Sequence, residues 1–243
     1  MKFKRKFNLT TADGDRYDRI RPFSILEHFQ EVAGMHAEEL GIGYSKFSER
    51  NLYWVILRFK YDIVAPIDIH DRTIEVITYP TLKGRVDFNR EYEIRNSNGT
   101  LLVTGVSKWC VIDAKTRRIM RTNNIEYNYE LDNNLIYPDD VDKITPLMKD
   151  ELTFSHKEVV LSSKIDHNGH LNNARYADFI LDVLALNQDE EIISFEINFV
   201  KEAILNDEIM LYYKKIAYNI YYICGYINDN ILNFTSIVKT EKR

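Results

Sequence analysis

The sequence predicts an α+β fold in which one unit is written twice, and three observations lead there. Apolar residues recur at helical spacing over about 25–40 and again over about 173–186. The chain carries 16 Tyr and 12 Phe among 243 residues together with abundant Ile, a composition that favours strands. The strings that follow the helices also echo each other. Phe59-Lys60-Tyr61-Asp62-Ile63-Val64 parallels Phe195-Glu196-Ile197-Asn198-Phe199-Val200, and Asp71-Arg72-Thr73-Ile74 parallels Asp207-Glu208-Ile209-Met210.

The elements follow in order. Ser24 and Glu27 have the spacing of a capping box at the start of the first helix. Leu26, Phe29, Ala33, Ala37 and Leu40 form its buried face, and Gly41 is a stop. Strands are predicted over about 73–81, 85–96 and 100–112, with a short piece near Ile119 and a hairpin turn at Asn96-Ser97-Asn98-Gly99. The second helix buries Tyr176, Phe179, Val183 and Leu186. Strands over about 207–216, 218–227 and 231–240 come next, with a turn at Asn228-Asp229-Asn230. The join lies near Asp139 to Lys149, where Pro138, Asp139, Asp140, Pro146 and a run of charges break the pattern. This gives two domains, 1–145 and 146–243. Each is one antiparallel sheet around one long helix, and two such sheets can cover each other's edges.

Bulk properties exclude several classes. A net charge of −5 gives no reason to expect a nucleic-acid binder. Cys110 and Cys224 make neither a disulfide framework nor a metal-ligand cluster. The basic start Met1-Lys2-Phe3-Lys4-Arg5-Lys6-Phe7 is followed by no apolar stretch of the kind a secretory signal needs. No apolar run approaches the roughly 18 residues of a membrane helix. A soluble, cytoplasmic protein is expected, in which the sequons at Asn8, Asn98 and Asn233 are chance matches. His28, His36, His70 and His156 are scattered singly and read as surface or satisfied core residues.

One segment is chemically dense. Lys164 to Tyr176 places Asp166, Asn168 and His170 at alternating positions just before the second helix. In an extended segment all three would project to one side, with His167 turned away. A carboxylate, a carboxamide and an imidazole on one wall, near helix N-terminal amides, suit general-base chemistry. The competing reading is local capping, since Asp and Asn routinely bind backbone amides ahead of helices.

Taken together, the residues resemble the acyl-carrier-protein thioesterases of the plant and bacterial fatty-acid type. In the first half the resemblance rests on Gln30 to Ala37, Leu40-Gly41-Ile42-Gly43, Trp54 to Arg58, Glu93-Ile94-Arg95, Ser107-Lys108-Trp109, Ile112-Asp113 and Thr116-Arg117-Arg118. In the second half it rests on Asp166-x-Asn168-x-His170-x-Asn172-Asn173-x-x-Tyr176. The resemblance implies a double hotdog fold, with the acyl-chain tunnel in the first unit and the catalytic residues in the second. Phe29, Val32, Met35, Trp54, Ile56 and Val86 are candidate tunnel linings. It implies that Asn168 and His170 orient and polarise the thioester carbonyl. Asp166 would position His170 or the water, and Glu202, in Phe199-Val200-Lys201-Glu202-Ala203, would be the general base.

Plant members carry a Cys directly after that Glu, whereas this chain has Ala203. Attack by carboxylate-activated water, with no cofactor and no metal, is therefore the expected mechanism. In the internal echo Glu202 falls opposite Pro66, and Asn168 and His170 fall near Asp18 and Ile20, so one site per chain is expected. The implied reaction is hydrolysis of fatty acyl-carrier-protein thioesters to free fatty acid. Acyl-coenzyme A hydrolysis, a hydratase or dehydratase, and a non-catalytic acyl-binding module are the alternatives. The implied partner is the acyl-laden carrier protein, and a homodimer is left open. Because that carrier is acidic, Arg85 and Arg90, or Arg117, Arg118 and Arg121, are candidate docking residues.

Overall fold

The computed structural model describes residues 2–70, 72–126, 129–132, 134–137 and 141–242. Of the sequence signals above, Asp71 and Pro138, Asp139 and Asp140 in the join lie outside the described residues. By its contacts the chain divides into two compact units. Met1–Ala12 and Glu27–Val141 form the first, and Asp13–Leu26 and Asp142–Arg243 form the second. The segment 13–26 thus groups with the later part of the chain, which a single cut after 145 does not capture.

The first unit contains strands β1 (Phe3–Asn8), β2 (Leu52–Ile63), β3 (Thr73–Lys83), β4 (Phe88–Asn96) and β5 (Leu101–Asp113). It also holds most of helix α1 (Pro22–Glu39) and the short helix α2 (Tyr44–Glu49), which the sequence reading did not include. The second unit contains β6 (Thr153–Val159), α3 (Arg175–Leu184), β7 (Glu190–Phe199), β8 (Glu208–Ala217), β9 (Ile220–Ile227) and β10 (Ile231–Lys242). The strand order is β1-β3-β4-β5-β2 in the first unit and β6-β8-β9-β10-β7 in the second. All these pairings are antiparallel. Element for element the two orders are the same, so the echo in the sequence is a repeat of topology: two tandem hotdog units.

The helices sit on the sheets through aromatic residues. In the first unit Phe29 of α1 stacks on Phe59 of β2 and Tyr92 of β4, with ring centroids 5.7 and 4.5 Å apart. Its ring lies over Gly105 of β5, where a Cβ would come within 2.6 Å of Phe29 Cε2 and 3.3 Å of the Lys60 carbonyl oxygen. The absence of a side chain at Gly105 is what lets helix and sheet approach. In the second unit Tyr176 of α3 packs edge-on against Phe199 of β7 and Phe234 of β10. Of the candidate tunnel residues, Phe29, Val32 and Ile56 are buried, and Met35, Trp54 and Val86 are partly buried. Trp54 Nε1 donates to the Ile42 carbonyl at 2.7 Å, and its ring packs on Phe47 and Phe88.

Three details differ from expectation. Helix α1 begins at Pro22 rather than Ile25, so Ser24 and Glu27 lie inside it and do not form a capping box. Proline suits this first position because its missing N–H would have had no helical partner. Helix α3 runs Arg175–Leu184 and stops where Ala185 turns left-handed at φ 47°. Arg90 is not a docking residue. It is 8% exposed, donating from Nη1 to His36 Nδ1 at 2.9 Å and to Thr78 Oγ1 at 3.2 Å. Burial and the adjacent guanidinium push the His36 imidazole down to about 4, so it is neutral and can accept that bond. Arg85, Arg117, Arg118 and Arg121 are exposed.

The two expected turns form where the sequence places them. Asn96 Oδ1 accepts from the Asn98 and Thr100 amides, and Gly99 takes φ +83°. Asn228 and Asp229 both adopt positive φ between β9 and β10.

The Phe29–Gly105 contact generates a paired stability prediction. Gly105→Ala should lower unfolding free energy by about 1–3 kcal/mol, because the ring or the strand must shift. Gly34→Ala, in α1 with nothing within 4 Å of the added Cβ, should raise it by about 0.5–1 kcal/mol. Urea denaturation of both variants measures the difference.

Candidate active site

The segment ahead of α3 is a tight loop, not an extended strand. The Asp166 amide donates to the His170 carbonyl at 2.8 Å, and the Gly169 amide donates to the Asp166 carbonyl at 3.1 Å. Gly169 closes the loop at φ +81°, a conformation that glycine adopts without a Cβ clash. The Asp166 side chain holds the loop from inside. Its Oδ1 accepts the Asn168 amide at 2.8 Å and the His170 amide at 3.3 Å. Its Oδ2 lies 3.5 Å from Asn168 Nδ2. The loop ends at Asn172, whose Oδ1 accepts the Ala174 amide at 2.8 Å in a turn just ahead of α3. An Asn near the start of a predicted helix is the sequence signal for such a turn.

The same loop occurs ahead of α1. There the Asp15 amide donates to the Arg19 carbonyl at 2.8 Å. Asp15 Oδ1 accepts the Tyr17 and Arg19 amides at 2.8 and 3.1 Å. Asp18 takes φ 58°, matching Gly169. Isolated bridges Gly14–Ile20 and Ile165–Leu171 flank the two loops. Asp166 therefore corresponds to Asp15, Asn168 to Tyr17 and His170 to Arg19. This corrects the expected match of Asn168 and His170 to Asp18 and Ile20. Tyr17 and Arg19 share no chemistry with Asn168 and His170, so the sequence alone does not set this register. The carboxylate is common to both loops, whereas the amide and the imidazole occur in only one. In the first loop the residue at the histidine position is spent on structure. Arg19 pairs with Asp15 at 2.6 Å and donates to the carbonyls of Asn187 and Glu190.

His170 makes a different contact. Its Nε2 lies 3.3 Å from Glu202 Oε2. Glu202 stands in the short segment between β7 and β8, and the two backbones are tied there. The Leu171 amide donates to the Ala203 carbonyl at 2.8 Å, and His170 bridges Ile204. Of the four candidates, the structure thus brings His170 and Glu202 into direct contact and ties Asn168 to the same loop through Asp166. Both His170 and Glu202 remain partly open, with side chains 25% and 32% exposed, and Asn168 is exposed. Val200, Ile204 and Leu205, which flank Glu202 in the chain, expose apolar surface beside these polar groups.

The cysteines lie elsewhere. Cys110 and Cys224 are 1% and 0% exposed. Burial pushes their thiols up to about 11 and about 12 respectively, away from the thiolate that a nucleophile requires.

Comparison with known proteins identifies the family. Residues 1–128 match the acyl-ACP thioesterase N-terminal domain and residues 147–234 match the acyl-ACP thioesterase C-terminal domain. The chloroplastic palmitoyl-acyl carrier protein thioesterase of Arabidopsis thaliana is 26% identical over 197 residues, which is 74% of this chain and 46% of that protein. The chloroplastic dodecanoyl-[acyl-carrier-protein] hydrolase of Cinnamomum camphora is 24% identical over 200 residues, 75% of this chain and 51% of that protein. This chain spans about half the length of the curated relatives it matches. Among solved structures, an acyl-ACP thioesterase from Bacteroides thetaiotaomicron superposes with a TM-score of 0.86 at 22% identity, covering 99% of this chain and 98% of that one. The 12:0-ACP thioesterase of Umbellularia californica gives 0.85 at 16% identity, covering 100% and 98%.

The paired loops yield two predictions. Asp166→Ala and Asp15→Ala should each cost about 1–2 kcal/mol of stability, while the Asn replacements, which keep an acceptor, should cost less than about 1. Asp15 also titrates in a defined direction. Burial raises its carboxyl, but the Arg19 guanidinium and the Tyr17 and Arg19 amides outweigh this and hold it below the usual carboxylate range. Its contribution is therefore present at neutral pH and is lost as pH falls below the unfolded value of 3.8. Unfolding free energies measured from pH 7 down to pH 2 should fall less steeply in Asp15→Asn than in the unmodified protein.

Proposed function

Because the chain belongs to the acyl-ACP thioesterase family, we propose that it hydrolyses fatty acyl-[acyl-carrier-protein], releasing free fatty acid and the carrier thiol. The observation that carries the reading is the contact between His170 Nε2 and Glu202 Oε2 at 3.3 Å. It joins an imidazole and a carboxylate from separate parts of the chain in a partly open site.

In the proposed reaction Glu202 accepts a proton from water as the water oxygen attacks the thioester carbonyl carbon. Asn168 and His170 supply N–H donors to the oxygen that gains negative charge. The carbon–sulfur bond then breaks, and the proton held by Glu202 goes to the departing sulfur, giving one acid and one thiol for each water consumed. Asp166 acts at one remove. Its carboxylate is occupied by the Asn168 and His170 amides, so it sets the loop that presents those side chains. The buried cysteines leave water as the attacking group. The exposed apolar Val200, Ile204 and Leu205 beside Glu202 suit a substrate with an apolar arm. The acyl-laden carrier protein is the proposed partner.

The test is thiol release from a panel of acyl-carrier-protein and acyl-coenzyme A thioesters. Release from the carrier-bound series is expected. Silence on both series would refute hydrolysis, and release from coenzyme A thioesters alone would replace the proposed substrate. Glu202→Gln and Asn168→Ala should each lower kcat by about 100-fold or more. Cys110→Ala and Cys224→Ala should keep turnover per folded molecule within about twofold. A folded but inactive cysteine variant would bring back a thiol nucleophile.

A further inference from the structure

We infer that Asn233 is a positioning residue that fixes the peptide leading into Glu202, and that Tyr176 holds the Asn233 side chain in place. The inference rests on the hydrolytic reading of the site, but its structural half can be tested without turnover.

Asn233 is the extra residue of a bulge in β10, where the register with β9 shifts between Leu232 and Phe234. It is fully buried. Its carbonyl accepts the amides of Val200 and Lys201 at 2.9 and 3.1 Å, which turns the chain out of β7. Its side-chain Nδ2 donates twice, to the Lys201 carbonyl at 2.5 Å and to the Tyr176 hydroxyl at 3.0 Å. The peptide unit leading into Glu202 is thus held through the Lys201 carbonyl, and the Tyr176 hydroxyl holds the amide that does so. With that peptide plane pinned, the direction in which the chain presents the Glu202 carboxylate to His170 is set.

The first unit supplies an internal control. Its bulge lies at Leu102, where the register of β5 with β4 shifts between Ile94 and Arg95. The Leu102 carbonyl accepts the Val64 and Ala65 amides at 2.8 and 3.3 Å, as Asn233 does for Val200 and Lys201. On this alignment Leu102 corresponds to Asn233 and Pro66 to Glu202. The first unit builds the same bulge and exit with an apolar Leu102. The buried amide occurs only at the bulge beside Glu202, so it answers to that residue and not to the fold.

The experiment uses Asn233→Ala and Tyr176→Phe, which keeps the ring in its aromatic packing, each alone and combined with Glu202→Gln. Steady-state kinetics on an acyl-carrier-protein thioester are paired with hydrogen exchange at the Lys201 amide, which donates to the Asn233 carbonyl. In the Glu202 background each variant should lower kcat by about tenfold or more with KM within about twofold, and in the Glu202→Gln background the further loss should be under about twofold. Lys201 exchange should speed up in Asn233→Ala, while its thermal midpoint shows the protein still folded. Wild-type kcat in Asn233→Ala, an undiminished loss on top of Glu202→Gln, or unchanged Lys201 exchange would each overturn the inference. If the unmodified protein released no thiol, the hydrolytic reading would fail, and Lys201 exchange in Asn233→Ala would decide the positioning by itself.

Discussion

The site depends on one constraint: backbone amides that would otherwise face solvent are turned inward onto the Asp166 carboxylate. That carboxylate closes the 166–170 loop by accepting the Asn168 and His170 amides. Closure sets the direction of the His170 side chain, places Leu171 where its amide can reach the Ala203 carbonyl, and brings Asn172 to the head of α3. In a loop partly open to solvent the two bonds together contribute about 1–2 kcal/mol. Even that is a sizeable share of the margin by which a domain is folded. The loop ahead of α1 uses the same device at Asp15, with Arg19 in the histidine position, so the loop itself belongs to the repeated pattern of the fold.

Much of this was legible in the sequence. The period of the apolar residues located α1 and α3, and the turn residues at 96–99 and 228–230 separated the right strands. The matched strings after each helix marked β2 and β7 as equivalents. Glu202, which lies some thirty residues from His170, was reached only through the resemblance, since no local pattern links a residue after a strand to a loop before a helix.

What failed did so for physical reasons. Alternation along 166–170 predicts an extended segment, but a loop with Gly169 at positive φ can bring the same residues together. The two readings of Asp166, positioning His170 and capping local amides, meet in one carboxylate that accepts the His170 amide. Arg90 is expected at the surface because arginine usually is. In the structure a neutral His36 and Thr78 accept its hydrogen bonds inside the first unit. The Asn233 contacts left no trace in the sequence at all. A bulge is a property of how two strands register, and a lone Asn in a strand only looks like a weak strand residue.

The contrast between the two exits from the sheet shows what the role proposed for Glu202 demands of a repeated fold. At Pro66 the pyrrolidine ring fixes φ covalently, and no hydrogen bond is needed to hold that residue's conformation. A glutamate in the equivalent place has no such ring, so the same definition must come from neighbours. Asn233 and Tyr176 provide it, but at a cost. Among the described residues Asn233 Oδ1 is buried without a hydrogen-bond partner, and an unsatisfied polar atom of that kind costs about 1–3 kcal/mol. Leu102 in the first unit carries no such penalty. A buried amide with one idle oxygen is hard to account for by stability alone. It makes sense where the other end of the amide holds the peptide next to the proposed general base, because an error of about 1 Å in that carboxylate would forfeit most of the rate proposed for it.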